Sequence, residues 1–521
     1  FYFPMIRALS RARRFRPVVG GAEDGMPDTK ADDQPIEIPP LTGLYAEPFS
    51  PGKLLRMMQF FGPAAVVASL GLGVGETIMV TGLGAWSEYN LFWLLILSVV
   101  VKGVFVTYLV GRYTAVTGQR IGHRLVMLPG PRGWLLLVVI VAELGLIGMG
   151  LTAVAKPCGN LITTLFQDAL PGNLEFDTWV NLWTNVIFAA AMGVSLLSSF
   201  HALERQQIVI CGVLVLGTIL ATLLVRPDMG SMLAGAISFG HLPAAPEWGP
   251  QAARTDYSLN MVVIFGYIGG SLSGHLAYSS WVRDSGWGIN SHARIDEIRR
   301  RAGSGPRIDY LPDDPEQAGR LRRLLLPLKW DVGMGAFVLL IVSMAFLAAG
   351  ATILFPRQET LSGNSWELLT KQAGIWREIH ESMVPVYYVM ILVALWGTLA
   401  SVPEALTQVT YDFLCAIWPR FEKFSIQRLK CIIVSGCFAA SVFWTWSGIT
   451  FDLMTQIAAF LTVSLGLFVV FSCVLYFNMT LPRLYRPSWW VAASGIVSAI
   501  VLLMCAIGGG VGLARKMLAE F

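Results

Sequence analysis

At 521 residues the chain is 55% hydrophobic and only 14% charged, with a mean hydropathy of +0.60. A soluble domain carries about 25% charged residues, so an ordinary globular protein is excluded. The net charge of +4 says little by itself, and the loop 283–330, with Pro, Gly and mixed charge, is read as a solvated cytoplasmic connector and not a nucleic-acid site. The apolar residues come in long continuous runs, which excludes the alternating pattern of a β-barrel and predicts an all-α polytopic membrane protein.

The chain opens Phe1-Tyr2-Phe3-Pro4-Met5 without an initiator Met, so residues 1–4 are read as a fragment or a misplaced start. Arg7, Arg11, Arg13, Arg14 and Arg16 follow with no apolar run behind them, unlike a signal peptide. Residues 20–50 are rich in Pro, Gly and Asp, and 1–57 is expected to be a disordered cytoplasmic tail. Residues 58–511 form the transmembrane domain and 512–521 a C-terminal tail.

About eleven spans are expected, each near the roughly 20 residues that a bilayer requires. They fall near 58–83, 91–111, 134–156, 181–199, 206–225, 258–281, 332–355, 385–408, 430–446, 452–477 and 488–511. Lys and Arg gather in the tail, after span 2 (Arg112, Arg120, Arg124, Arg132), in 283–330, and after span 8 (Arg420, Lys423, Arg428, Lys430). With an odd span count these connections share one side, and the positive-inside rule makes that side, with the N-terminus, cytoplasmic. Arg515 and Lys516 run against this scheme. Trp86, Trp93, Trp134, Trp489 and Trp490 lie near span ends, as in an interfacial belt.

Two spans are interrupted. Span 1 reads Ser69-Leu70-Gly71-Leu72-Gly73-Val74-Gly75-Glu76-Thr77, and span 6 reads Gly269-Gly270-Ser271-Leu272-Ser273-Gly274-His275. Lipid offers no partner to freed backbone groups, so such breaks persist only inside protein or along a polar cavity. Five spans per unit inverts the second unit, so spans 1–5 and 6–10 fit an inverted repeat plus one further span. Matched Gly-interrupted segments in two halves point to a transporter's central site.

Ionisable residues at this depth mark sites or pathways. Glu76 is read as a cation ligand or proton carrier, with a structural salt bridge to a lysine as the plainer alternative. Lys102 and Glu143 both sit mid-span, and either pair with each other or, for Glu143, carry protons. His275 ends the second break, where an imidazole suits proton transfer. Ser271 and Ser273 offer hydroxyls, either to a ligand or to freed backbone. Gln456 in span 10 could ligate substrate or hydrogen-bond a neighbouring helix. Glu404 and Asp331 are read as interfacial, at the ends of spans 8 and 7. The seven cysteines form no CxxC pair and are read as small apolar residues. The GxGxG string lacks the strand and spacing of a nucleotide loop, and no catalytic motif appears, so an enzyme is not expected.

Gly62-Pro63-Ala64 through Glu76, Leu91-Phe92-Trp93-Leu94, and Gly111-Arg112-Tyr113 through Thr117-Gly118 resemble the first two spans of Nramp metal-ion transporters. The likeness extends to Ala142-Glu143, His275 and Thr455-Gln456. The resemblance implies a leucine-transporter-type fold, proton-linked import of a divalent cation by alternating access, no cofactor, and a protomer that works alone in a bacterial inner membrane. The family's Asp-Pro-Gly-Asn signature aligns with Gly73-Val74-Gly75-Glu76, and its Met-Pro-His with Ser273-Gly274-His275. A ligand set of Glu76, Ser273, carbonyls around Gly73 and Gly270, and Gln456 would be all oxygen. Such a set favours harder ions such as Mg²⁺ or Mn²⁺. His275, Glu143 and Lys102 are the candidate proton pathway. An organic solute such as an amino acid, or a sensor without transport, are the alternatives.

Overall fold

The computed structural model describes residues 35–48, 50–73, 75–172, 174–303, 308–359 and 368–520. Among them, ten helices are long and apolar enough to cross a membrane, from Phe92–Thr117 to Trp489–Leu518. The broken span 1 precedes them: Pro63–Gly71, then a π-helical turn Gly75–Met79 leading into Val80–Ser87. A short helix Pro51–Met57 leads in, and the chain bends by 71° before Pro63.

Several spans run past their apolar cores. Span 3 is one helix, Trp134–Leu165, and continues through Pro157; span 8 is Met383–Ile417 and continues through Pro403. Neighbouring helices can satisfy the backbone groups that an internal proline frees, so the expected stop at 156 does not occur. The expected C-terminal tail is likewise helical, because span 11 runs Trp489–Glu520.

The expected tail disorder also ends earlier than residue 57. Ile36 and Ile38 are buried; the Ile36 amide donates to the Tyr310 carbonyl (2.9 Å) and the Ile38 amide to Gln317 Oε1 (2.9 Å). Two apolar side chains at alternate positions anchor a segment that composition alone reads as unfolded. Residues 1–34 lie outside the described residues.

Close backbone crossings hold the second half of span 1. A Cβ at Gly84 would lie 2.2 Å from the Leu347 carbonyl oxygen, and one at Gly350 would lie 2.1 Å from that of Thr81. This reciprocal contact between spans 1 and 7 uses small residues, as membrane helix pairs do. A non-spanning helix, Leu368–Ile379, reaches the same half-span: Gln372 Nε2 donates to the Thr77 carbonyl (2.8 Å) and to Thr81 Oγ1 (2.7 Å).

The first half of span 1 is fixed at its start by Asp331 of span 7. Its carboxylate accepts from the Gly62 amide (2.9 Å), the Ala64 amide (2.9 Å) and the Tyr278 hydroxyl (2.9 Å). Asp331 is fully buried, so the interfacial reading is corrected: it caps another helix inside the bundle. Glu404 is also more enclosed than expected and pairs with Lys430 at 2.6 Å. Arg120, Arg283 and Asp412 meet at one end of the bundle, with Arg120 Nη1 3.2 Å and Arg283 Nη1 3.8 Å from Asp412 Oδ1. That contact brings the ends of spans 2, 6 and 8 together.

Candidate transport site

The three alternating glycines of span 1 are contact points. A Cβ at Gly71 would lie 3.2 Å from the Gly270 amide, at Gly73 2.6 Å from Thr398 Oγ1, and at Gly75 2.5 Å from the Tyr267 carbonyl oxygen. The break therefore touches spans 6 and 8 through bare backbone. The last helical bond before it runs from the Leu72 amide to the Ala68 carbonyl (2.8 Å). The Gly73 carbonyl is not left free, since it accepts from the Thr77 amide (3.2 Å) and the Thr77 hydroxyl (2.6 Å).

Span 6 stops at Tyr267 and resumes at Leu272. Gly269 and Gly270 between them have φ of +89° and +103°, values that residues with a Cβ rarely adopt. Ser271 is the N-cap of the second half, its hydroxyl accepting from the Gly274 amide (3.3 Å).

The two breaks enclose a cavity of about 110 Å³, lined also by spans 3, 8 and 10. Its polar side chains are Glu143, Tyr267, Ser271, Ser273, Thr398 and Thr462; Leu70, Leu146, Leu151, Val402 and Val463 supply apolar wall. Glu143 is buried, the Ser273 hydroxyl interacts with its carboxylate, and Glu143 Oε1 has no hydrogen-bond partner. Ser273 and Ser271 hydroxyls are 3.2 Å apart, which completes a short polar chain. Among the described residues, no cluster of three or more His, Cys, Asp or Glu side chains is built to hold a metal.

The expected site residues divide. Ser273, Gly270 and Glu143 line the cavity, but Glu76 stands behind its wall. Glu76 Oε1 accepts from the Gly269 amide (3.0 Å), and Oε2 is buried without a partner. Gly73 does not line the cavity, although Gly71 and Gly75 do. Gln456 does not face it either: its Oε1 accepts from Lys516 Nζ (2.9 Å), the helix-pairing alternative, while span 10 contributes Ala458, Thr462 and Val463.

The expected Lys102–Glu143 ion pair is not formed. Lys102 Nζ donates to the carbonyls of Phe265 (2.7 Å) and Gly266 (2.6 Å), because this face of span 2 packs on span 6 rather than span 3. His275 is buried, with Nδ1 3.1 Å from Thr107 Oγ1 and Nε2 unpartnered. The three members of the expected proton pathway are therefore not joined by hydrogen bonds among the described residues. Sequence reasoning missed Tyr267, Thr398 and Thr462, hydroxyls in apolar helices with no local signal.

The profile of the Nramp family, described as natural resistance-associated macrophage protein-like, matches residues 64–511. The chain belongs to the Nramp family. It is a membrane transporter by family, not an enzyme, and its broken spans 1 and 6 are read in that frame. The fold matches the manganese transporter of Eremococcus coleocola bound to an aromatic bis-isothiourea compound, with a TM-score of 0.62, 13% identity and 90% of each chain covered. A mutant of the same transporter gives 0.61, 11% identity, and 95% and 92% coverage. A stretch of 128 residues, 24% of this chain, is also 33% identical to the fluoride-specific ion channel FluC of Stutzerimonas stutzeri (strain A1501), covering 87% of that protein. That likeness is confined to a quarter of the chain, whereas the Nramp profile spans both breaks and every helix lining the cavity.

Proposed function

We propose that this chain is a secondary transporter that carries a divalent metal cation across the membrane by alternating access, with the cation passing through the cavity between the two breaks. The observation that carries this reading is the Glu143 carboxylate, the one acid among the cavity's lining residues, set with Ser273 at the junction of the broken spans. Every polar side chain lining the cavity is an oxygen donor. Carboxylate, hydroxyl and water favour Mg²⁺ or Mn²⁺, whereas thioether favours softer metals.

The cavity also favours a cation that keeps its waters. One water needs about 10–15 Å³ by this measure, so about 110 Å³ has room for several. Mg²⁺ gives up its waters reluctantly and is held through one or two carboxylates. Glu76, whose second oxygen is unpartnered, is the reserve anion beside Gly71 and Gly269. The positive-inside pattern supports a cytoplasmic N-terminus. Glu143 and His275 are the groups through which protons would couple.

The test is Mn²⁺ and Mg²⁺ uptake into proteoliposomes. A charge-assisted contact contributes about 1.5–3 kcal/mol, so Glu143→Gln is expected to weaken apparent affinity by about 10- to 100-fold. No uptake by the wild type above empty liposomes, for any divalent ion, overturns the reading. Equal uptake by Glu76→Gln removes Glu76 from the site while leaving Glu143 in it. A small organic cation is the second reading, favoured by the apolar wall around the lone cavity carboxylate. Thermal stabilisation by amines and not by metals would select it.

A further inference from the structure

Lys102 is fully buried in a π-helical stretch of span 2, Val99–Val106. A cation at this depth ordinarily pairs with an acid. Among the described residues, no carboxylate oxygen comes within ion-pair distance of it. Its ammonium instead rests on the end of a half-helix: Nζ donates to the Phe265 and Gly266 carbonyls at 2.7 and 2.6 Å and lies 5.1 Å from the Phe265 ring centroid. One turn earlier, the Ser98 hydroxyl lies 2.9 Å from both the Phe265 and Ile268 carbonyls. The C-terminal end of a helix carries partial negative charge. In transporters with broken helices, such ends and their unwound carbonyls are where a mobile coupling cation binds.

We propose that Lys102 is a tethered cation that occupies the coupling-ion position at the end of the first half of span 6, so that no free monovalent cation is needed there. Its stem packs on Gly269: a Cβ at that residue would lie 3.4 Å from Lys102 Cβ and 3.6 Å from Cε. The Gly269 amide in turn holds Glu76 at 3.0 Å. The fixed positive charge, the left-handed glycine and the carboxylate thus form one stack, and Lys102 is the positioning residue of the span 6 break.

The test replaces the tethered cation with a free one. Its flux arm rests on the metal-transport reading; its stability arm does not. Purified wild type, Lys102→Ala and Lys102→Met are reconstituted, and Mn²⁺ uptake is measured in choline, sodium and ammonium chloride. Wild-type uptake is expected to be the same in all three salts. Losing the charged contact should cost Lys102→Ala about tenfold in choline, with recovery in ammonium or sodium as the small cation fills the vacated carbonyl site. Lys102→Met, which fills the space without charge, should stay low in every salt. In thermal unfolding, a cation that binds only the folded protein stabilises it. The Lys102→Ala midpoint should therefore rise in ammonium or sodium relative to choline, while the wild-type midpoint does not. Lys102→Met uptake equal to wild type, or a Lys102→Ala midpoint indifferent to both cations, overturns the proposal. Absence of metal uptake by the wild type defeats the transport reading alone, and the midpoints still decide the role of Lys102.

Discussion

Asp331→Asn isolates what fixes the first half of span 1. The carboxylate takes three donors: Gly62 N at Oδ1, and Ala64 N and the Tyr278 hydroxyl at Oδ2. An asparagine has one acceptor oxygen. In its better orientation the oxygen keeps Ala64 and Tyr278, and its amino group then faces the Gly62 N–H, donor against donor. A buried donor left unsatisfied costs about 1–3 kcal/mol. Removing an anion from a helix N-terminus costs about 0.3–1 kcal/mol, more where partly buried. A neutral amide is easier to bury than a carboxylate, which offsets part of this. The expected net loss is about 2–3 kcal/mol of unfolding free energy. Tyr278→Phe removes one donor and leaves the two amides satisfied, for about 1 kcal/mol. Denaturant titration of the detergent-solubilised protein, followed by tryptophan fluorescence, measures both. If the two variants are equally stable, or Asp331→Asn matches the wild type, the capping argument fails.

Gly75→Ala places a Cβ 2.5 Å from the Tyr267 carbonyl oxygen, a backbone atom with nowhere to yield, so the breaks must separate and proteoliposome uptake should be lost. Gly436→Ala, where nothing lies within 4 Å, is the control and should transport normally. His123, in the short helix between spans 2 and 3, has its pKa lowered by burial and then by the charge of Arg120. Because the folded value is the lower one, its stabilising contribution is present above about pH 6.5 and is lost as pH falls below it. A pH series of thermal unfolding should show that loss, and His123→Gln should flatten it; an unchanged slope refutes the assignment.

The spans and both breaks are legible in the sequence because lipid enforces them: hydropathy marks each helix, and glycine at membrane depth marks where one opens. The partners are less legible because they lie far apart in the chain. Asp331 contacts residues 267 and 269 positions away, so no local pattern distinguishes a buried cap from a carboxylate at a span's end. Glu76 and Glu143 are both mid-span acids. Which of them faces the cavity depends on helix rotation, set by the glycine contacts of span 1 with Thr398, Tyr267 and Gly270. The same dependence turns Lys102 toward span 6 and away from Glu143. Gln456 fits either a ligand or a helix contact until Lys516, on the final turns of span 11, is placed beside it.

The two carboxylates have different surroundings, and on the proposed metal-transport reading that difference bears on how an ion would be selected. Glu143 lines the cavity as its one carboxylate, so a cation there meets it directly. Glu76 lies outside the lining, with one oxygen held by the Gly269 amide and the other buried without a partner. A dication entering beside Glu143 alone keeps a net positive charge, and with it a reason to retain water. Its pull on Glu76 acts through Gly269, where a change of backbone conformation meets no Cβ of its own. On the proposed metal-transport reading, selection would rest on how readily the ion carries its hydration into the cavity. On the same reading, closure would rest on whether the bound charge can draw Glu76, and the break attached to it, forward.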